Sequence, residues 1–424
     1  MLLDTPYRTT YERELMSSCA TLRQRDSSGI RPVAGVVATM ISASLPPFII
    51  GTIAIQIGQN IHFTPVDLAK AVAAYYVVSA ALSPTSGHLV ARLGPEASLR
   101  LAALGSSLGL IAVARADSPE VIVGALAFLG LPNSLVQPAS NQVLSNVGEA
   151  RRGFVFGLVQ SAIPLSTLTS GLLLAIFGRS GDWRAAIWTV VVLTLLAQVV
   201  IPRGPALRLV PGTPVNGLSP DGSPSPAHGP RHGGIPLLAA LVLGAFLASF
   251  AATTLPSFVA VTGQHVALSP ASIASAQITG SLACIAIRIA AAWLGGRHGG
   301  PTMLNLVTWL LIAGSIGYFL LAHGASWSFL VGVTMAYAFG WGWNGLFNLS
   351  VIHARPHHIA STTGLTQGGV FFGGVCGPLA FAALSGDQHF SSAWAMVAVV
   401  TLAAAGSMGF ARRRWIGSEV PQDD

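Results

Sequence analysis

The stretch Ile278-Thr279-Gly280-Ser281-Leu282-Ala283-Cys284-Ile285-Ala286-Ile287-Arg288-Ile289-Ala290-Ala291-Ala292-Trp293-Leu294-Gly295-Gly296-Arg297 runs ten residues without a charge and then places an arginine. As a helix it is long enough to cross a bilayer, which takes about 20 residues at about 1.5 Å each. Arg288 then lies roughly 13 Å inside the Arg297 end. A charge at that depth costs at least ~2.5 kcal/mol, so it usually faces a water-filled cavity or a partner. The apolar runs of the chain hold no Asp or Glu at comparable depth.

The rest of the composition agrees with a spanning reading. Of 424 residues 52% are hydrophobic and 9% charged, and the mean hydropathy is +0.64. A soluble chain of this size carries about 25% charged residues. The shortage leaves too little polar surface to cover a globule, so lipid must cover it. The +7 net charge does not point to nucleic acid, because the basic residues lie between apolar runs. Cys19, Cys284 and Cys376 have no metal or redox spacing, so free thiols and no cofactor are expected.

Apolar runs recur near 33–58, 67–91, 98–116, 119–143, 153–178 and 185–201, and again near 235–261, 270–295, 301–322, 326–352, 359–385 and 391–411. Continuous runs of this length are helices, since backbone groups in lipid must pair within their own segment. The expectation is an all-α membrane protein of twelve transmembrane helices. It divides into a tail at 1–32, a six-helix bundle at 33–201, a linker at 202–234, a second bundle at 235–411 and a tail at 412–424. The linker is rich in proline and too polar to order itself. Of the 22 basic residues, 17 fall on one side of this arrangement and three on the other (Arg115, Arg179 and Arg184). Both termini and the linker are therefore expected in the cytoplasm.

The two bundles read as repeats. Leu45-Pro46-Pro47-Phe48 returns as Leu255-Pro256-Ser257-Phe258. Pro132-Asn133-Ser134-Leu135-Val136-Gln137 returns as Trp343-Asn344-Gly345-Leu346-Phe347-Asn348. Gly157-Leu158-Val159-Gln160 returns as Gly364-Leu365-Thr366-Gln367. Parallel six-helix repeats about an axis along the membrane normal are a transporter architecture, with substrate held between the halves.

With these repeats the chain resembles the major facilitator superfamily of secondary transporters. That family's loop signature after the second helix is matched at Gly87, Arg92 and Gly94, with Ala91 in place of its aspartate. The corresponding second-half loop keeps Arg297 and has Gly296 at the aspartate position. Asp182-Trp183-Arg184 and Arg151-Arg152-Gly153 also look like family features. The resemblance implies alternating access in the plasma membrane. It implies a cytoplasmic latch that this chain lacks in its usual form.

Candidate substrate contacts follow from residue type and spacing. Asn133 and Gln137 share one helical face with Asn141, and Asn344 and Asn348 repeat the first two. Carboxamides orient polar solutes without net charge; in the bland reading they only bond neighbouring helices. Gln160 and Gln367 lie near the cytoplasmic ends and read as structural. Pro47 and Pro256 are the expected bending points. Trp341, Trp343, Phe347, Tyr75 and Tyr76 either wall the cavity or, more commonly for such residues, pack between helices. His88 and His353 read as residues of the cytoplasmic mouth. Arg288 offers a fork of donors that fits a carboxylate, and the anion-carrying branches of the family use an arginine on the eighth helix in this way. Its rival role is to bond neighbouring carbonyls or to reach toward headgroups.

The expected function is transport of a small organic anion such as a monocarboxylate by a monomer in the lipid bilayer, with or without a co-transported ion. The alternatives are a broad-specificity drug or metabolite exporter of the same fold and a non-transporting receptor. An enzyme is not expected: the apolar runs hold no paired carboxylates, metal cluster or nucleophile–base arrangement.

Overall fold

The computed structural model describes residues 30–145, 155, 157–201, 234–295, 300–354, 359–386 and 389–419. Helix starts follow local chemistry. Pro65, Pro95, Pro119 and Pro270 open their helices, where a missing N–H costs nothing. Thr64 and Asp67 form a reciprocal capping box, and Asp182 accepts from the amide of Ala185 at 3.0 Å.

Among the described residues there are fourteen helices and no strands. The first half holds α1 (Ile30–Thr52), α2 (Ala54–Ile61), α3 (Pro65–Leu93), α4 (Pro95–Ala114), α5 (Pro119–Ser145), α6 (Ala162–Phe177) and α7 (Trp183–Val200). The second half holds α8 (Gly234–His265), α9 (Pro270–Gly295), α10 (Gly300–His323), α11 (Ser326–Ala338), α12 (Asn344–Ala354), α13 (Ile359–Ser385) and α14 (Phe390–Glu419). Eleven spans among the described residues are long and apolar enough to cross a membrane. This is an all-α, multi-pass membrane fold of two six-segment bundles.

Three of the twelve expected runs are interrupted, the fifth by a turn at Ser161 just before α6. The first ends at Thr52 and resumes after a turn at Ile53. The tenth, expected as one helix over 326–352, is α11 and α12 separated by Phe339–Trp343. The physical reason is the pair Gly340 and Gly342 inside that break. A Cβ on Gly340 would stand 2.5 Å from the Ala336 carbonyl, and one on Gly342 2.7 Å from Ile287 Cγ2. Only glycine lets the turns pack this closely against α9. At its end the chain stays helical through Arg412–Arg414 to Glu419.

The core is distributed unevenly along the bundle axis. At the end where α1 begins and α14 stops, here the termini end, the buried apolar residues fall into two clusters. One belongs to the first half (Val36, Val90, Leu99, Val143) and the other to the second (Leu237, Leu304, Val351, Trp415). Toward the opposite, far end, a single cluster runs through both halves, from Ile57 and Trp183 to Phe258 and Trp394. The halves are thus fused at the far end and parted at the termini end.

Candidate functional site

Four features of the interface between the halves bear on function. The first is the far-end seam. Gln277 on α9 is fully buried, and the two N–H groups of its Nε2 are shared among Thr52 Oγ1 (3.1 Å), the Thr167 carbonyl (3.0 Å) and Ser170 Oγ (2.7 Å). One turn on, the hydroxyls of Thr167 and Ser281 lie 2.8 Å apart. These bonds join α1 and α6 of the first half to α9 of the second. Sequence reasoning missed all five residues. The signal available was the spacing of Thr167 to Ser170 and of Gln277 to Ser281, polar pairs on single faces of apolar helices. Beside the seam, a pocket of about 340 Å³ holds Gln56, Gln59, Arg179 and Gln264.

The second feature is the crossing of α1 and α8, where the repeated Leu-Pro motifs meet. A Cβ on Gly51 would stand 2.6 Å from the Pro256 carbonyl and 2.7 Å from Ser257 Cα, so the two backbones touch. Both candidate bending prolines sit in helices that continue past them. What each proline does is release a carbonyl four residues back, because it has no N–H to donate. Pro47 releases Ala43, whose carbonyl accepts from the Tyr75 hydroxyl at 2.7 Å. Pro256 releases Ala252, whose carbonyl accepts from the Trp341 indole. Each freed carbonyl thus carries an aromatic donor, from the second span in one case and from the break in the tenth run in the other.

The third is Arg288. Only 4% exposed, it donates from Nε and Nη2 to the Trp341 carbonyl (3.2 and 2.9 Å) and from Nη1 to the Gln160 carbonyl. Trp341 lies in the break between α11 and α12. Gln160 lies in the first half, four residues before Pro164, so its carbonyl too is released by a proline. Arg288 thus bridges the halves on the termini side of the seam. Among the described residues no Asp or Glu is a hydrogen-bond partner of Arg288.

The fourth is the pair of carboxamide faces. Asn133, Gln137 and Asn141 are half-buried to exposed, on the side of α5 opposite the outward-facing Phe128 and Leu131. Asn133 donates to Ser79 Oγ at 3.0 Å, and Gln137 to Asn141 Oδ1 at 3.4 Å. On α12, Asn348 donates to Asn344 Oδ1 at 2.9 Å, both half-buried, and the adjacent Gly345 has open space where a Cβ would stand. Among the described residues no hydrogen bond joins the two faces to each other or to Arg288. The aromatic candidates are mostly core: Trp341, Trp343, Phe347 and Tyr75 are buried, and Tyr76 packs on Phe371 and Gly374. Gln160 is buried and Gln367 half-buried, while His88 and His353 are exposed.

The loop-motif residues fall where a tight turn is needed. Gly87 and the exposed Arg92 lie near the end of α3, and Gly94 makes the turn into α4 with φ +82°. Arg297, Arg151 and Arg152 lie outside the described residues.

The family model of the Major Facilitator Superfamily matches residues 33–378. The chain belongs to this superfamily. Its members are secondary transporters, so the bilayer and a small-molecule substrate are its partners. No curated protein sequence matches the chain significantly.

Proposed function

We propose that this transporter carries a small organic anion, of the monocarboxylate class, along the cleft between its halves. Both termini are placed in the cytoplasm of a plasma-membrane protein, so that the parted end opens inward. The observation that carries the reading is the Arg288 guanidinium, buried between the halves with no carboxylate partner among the described residues. Carbonyl dipoles solvate a cation but leave its net charge uncompensated, and a substrate carboxylate supplies the missing charge in a two-point contact. Besides the Trp341 and Gln160 carbonyls, the guanidinium hydrogen-bonds the side chain of Cys284, one turn earlier on the same helix. Asn133, Gln137, Asn344 and Asn348 line the approach and take the solute's neutral polar groups.

The test is ligand-induced thermal stabilisation of the purified full chain, wild type against Arg288→Lys and Arg288→Ala. The ligands are acetate, L-lactate and oxalate, with acetamide and lactamide as neutral controls. Charge-assisted hydrogen bonds contribute ~1.5–3 kcal/mol, or roughly 10- to 150-fold in affinity. Anions should stabilise the wild type, Arg288→Lys should respond more weakly, and Arg288→Ala should not respond. Stabilisation of the wild type by neutral compounds alone would sink the anion assignment.

A further inference from the structure

We infer that Pro164 and Pro256 are the positioning residues of Arg288, and that together they make it a clamp between the halves which an entering carboxylate releases. The release step rests on the anion reading above, whereas the clamp itself does not.

The chain of contacts is continuous. Pro256 frees the Ala252 carbonyl on α8, and the Trp341 indole donates to it. Trp341 stands in the break between α11 and α12, where Gly340 lets the backbone approach Tyr318 on α10 and Gly342 lets it approach Ile287 on α9. The same residue turns its own carbonyl to Arg288, which binds it through Nε and Nη2. Across the interface Pro164 frees the Gln160 carbonyl, and Arg288 Nη1 takes it. The Gln160 carbonyl therefore fixes the guanidinium directly, and the Ala252 carbonyl fixes it through Trp341. With an ordinary residue at 164, Gln160 would have an amide donor in its own helix and little use for Arg288.

The position of this clamp gives it a mechanical meaning. It lies at the boundary of the core's division, with Trp341 and Cys284 in the cluster shared by both halves and Val159 and Ala291 in the separate ones, on the termini side of the Gln277 seam. It therefore limits how far α6 can move from α9 at that end. A carboxylate is a better acceptor for Nη1 than a neutral carbonyl. Once it takes Nη1, Gln160 is released, and with it the restraint on the first half. Binding and opening then share one hydrogen-bond donor, which is how a ligand acquires different affinity for two states.

Reporter cysteines placed in the full chain read the balance between the two ends. Gln59→Cys reports the far end and Asn141→Cys the termini end, both positions being exposed. Labelling rates are measured in proteoliposomes, against the same backgrounds without a reporter, with and without acetate. In the wild-type background, acetate should raise the ratio of termini-end to far-end labelling. Pro164→Ala keeps Arg288 but gives Gln160 an in-helix donor. It should raise that ratio about tenfold without ligand, the lower end of what losing one charge-assisted hydrogen bond does to an equilibrium. Acetate should add little further. Pro256→Ala should move the ratio in the same direction through Trp341.

Pro378→Ala is the control, since the Gly374 carbonyl it affects receives no side-chain donor among the described residues; it should leave the ratio unchanged. A thermal midpoint for Pro164→Ala no lower than wild type excludes simple misfolding. An unchanged ratio in Pro164→Ala, or an equal rise in Pro378→Ala, overturns the clamp. A rise in Pro164→Ala together with a wild type indifferent to every anion overturns the release step and the cargo reading, and leaves the clamp standing.

Discussion

A guanidinium offers five donors, and at Arg288 two backbone carbonyls hold three of them. The residue was conspicuous in the sequence because a charge so deep in an apolar run needs a partner. Its actual partners were not legible. They are main-chain oxygens on segments more than fifty residues away, set free by Pro164 and by the Gly-Trp-Gly break, and a residue pattern records side chains rather than carbonyls. The carboxamides were the reverse case. Asn133, Gln137, Asn344 and Asn348 announced a shared face, and the face exists, but in this state their hydrogen bonds run along or beside their own helices. Asp67 supports a prediction at this scale. Both its amide and its carboxylate serve the Thr64 capping box, and the other placed acids among the described residues also stand in loops or at helix ends. Asp67→Asn should therefore leave ion-driven uptake in proteoliposomes intact, at a stability change of about 1 kcal/mol or less. Abolished uptake at normal expression would show that a protein carboxylate carries the coupling. Gln277 gives a second prediction. Gln277→Leu removes the two amide donors that tie α9 to α1 and α6, interhelical bonds worth about 0.6 kcal/mol each on average and up to about 1.7 in membrane helices. Labelling of Gln59→Cys at the far end should rise about tenfold or more, whereas no rise would mean that the seam does not hold that end shut.

At the scale of elements, the hydropathy of the chain was enough to place its spans, because every residue of a lipid-facing helix contributes to the same signal. It could not show the interruption at Phe339–Trp343, whose residues are as apolar as a helix and whose departure from it is a backbone matter. Gly340 and Gly342 were the available clue, and their meaning depends on Ile287 and Tyr318, which only the packing brings near. The α1–α8 crossing depends in the same way on one missing side chain. Gly51→Val would drive a branched side chain into the Pro256 and Ser257 backbone, and overpacking of this kind costs about 1–3 kcal/mol. We expect a thermal midpoint several degrees lower and little transport. A variant that transports normally would mean that α1 and α8 can separate here without consequence.

For the whole molecule, the arginine asymmetry predicts which side each end occupies. Cysteines introduced within 1–32 or 202–234 should label only after permeabilisation of intact cells, and labelling from outside would invert the model. The uneven core carries a further consequence, for assembly at the ribosome. The first six segments leave the insertion machinery before α8 and α9 exist. Until those helices arrive, Thr52, Thr167 and Ser170 face hydrocarbon without the amide that later ties them together. The far-end cluster, shared by both halves, is then also only half made. The first half is thus an incomplete product that its partner must rescue. Severed within 202–233 and expressed as two chains, the halves should find each other and resume transport, while the first half produced alone should be degraded.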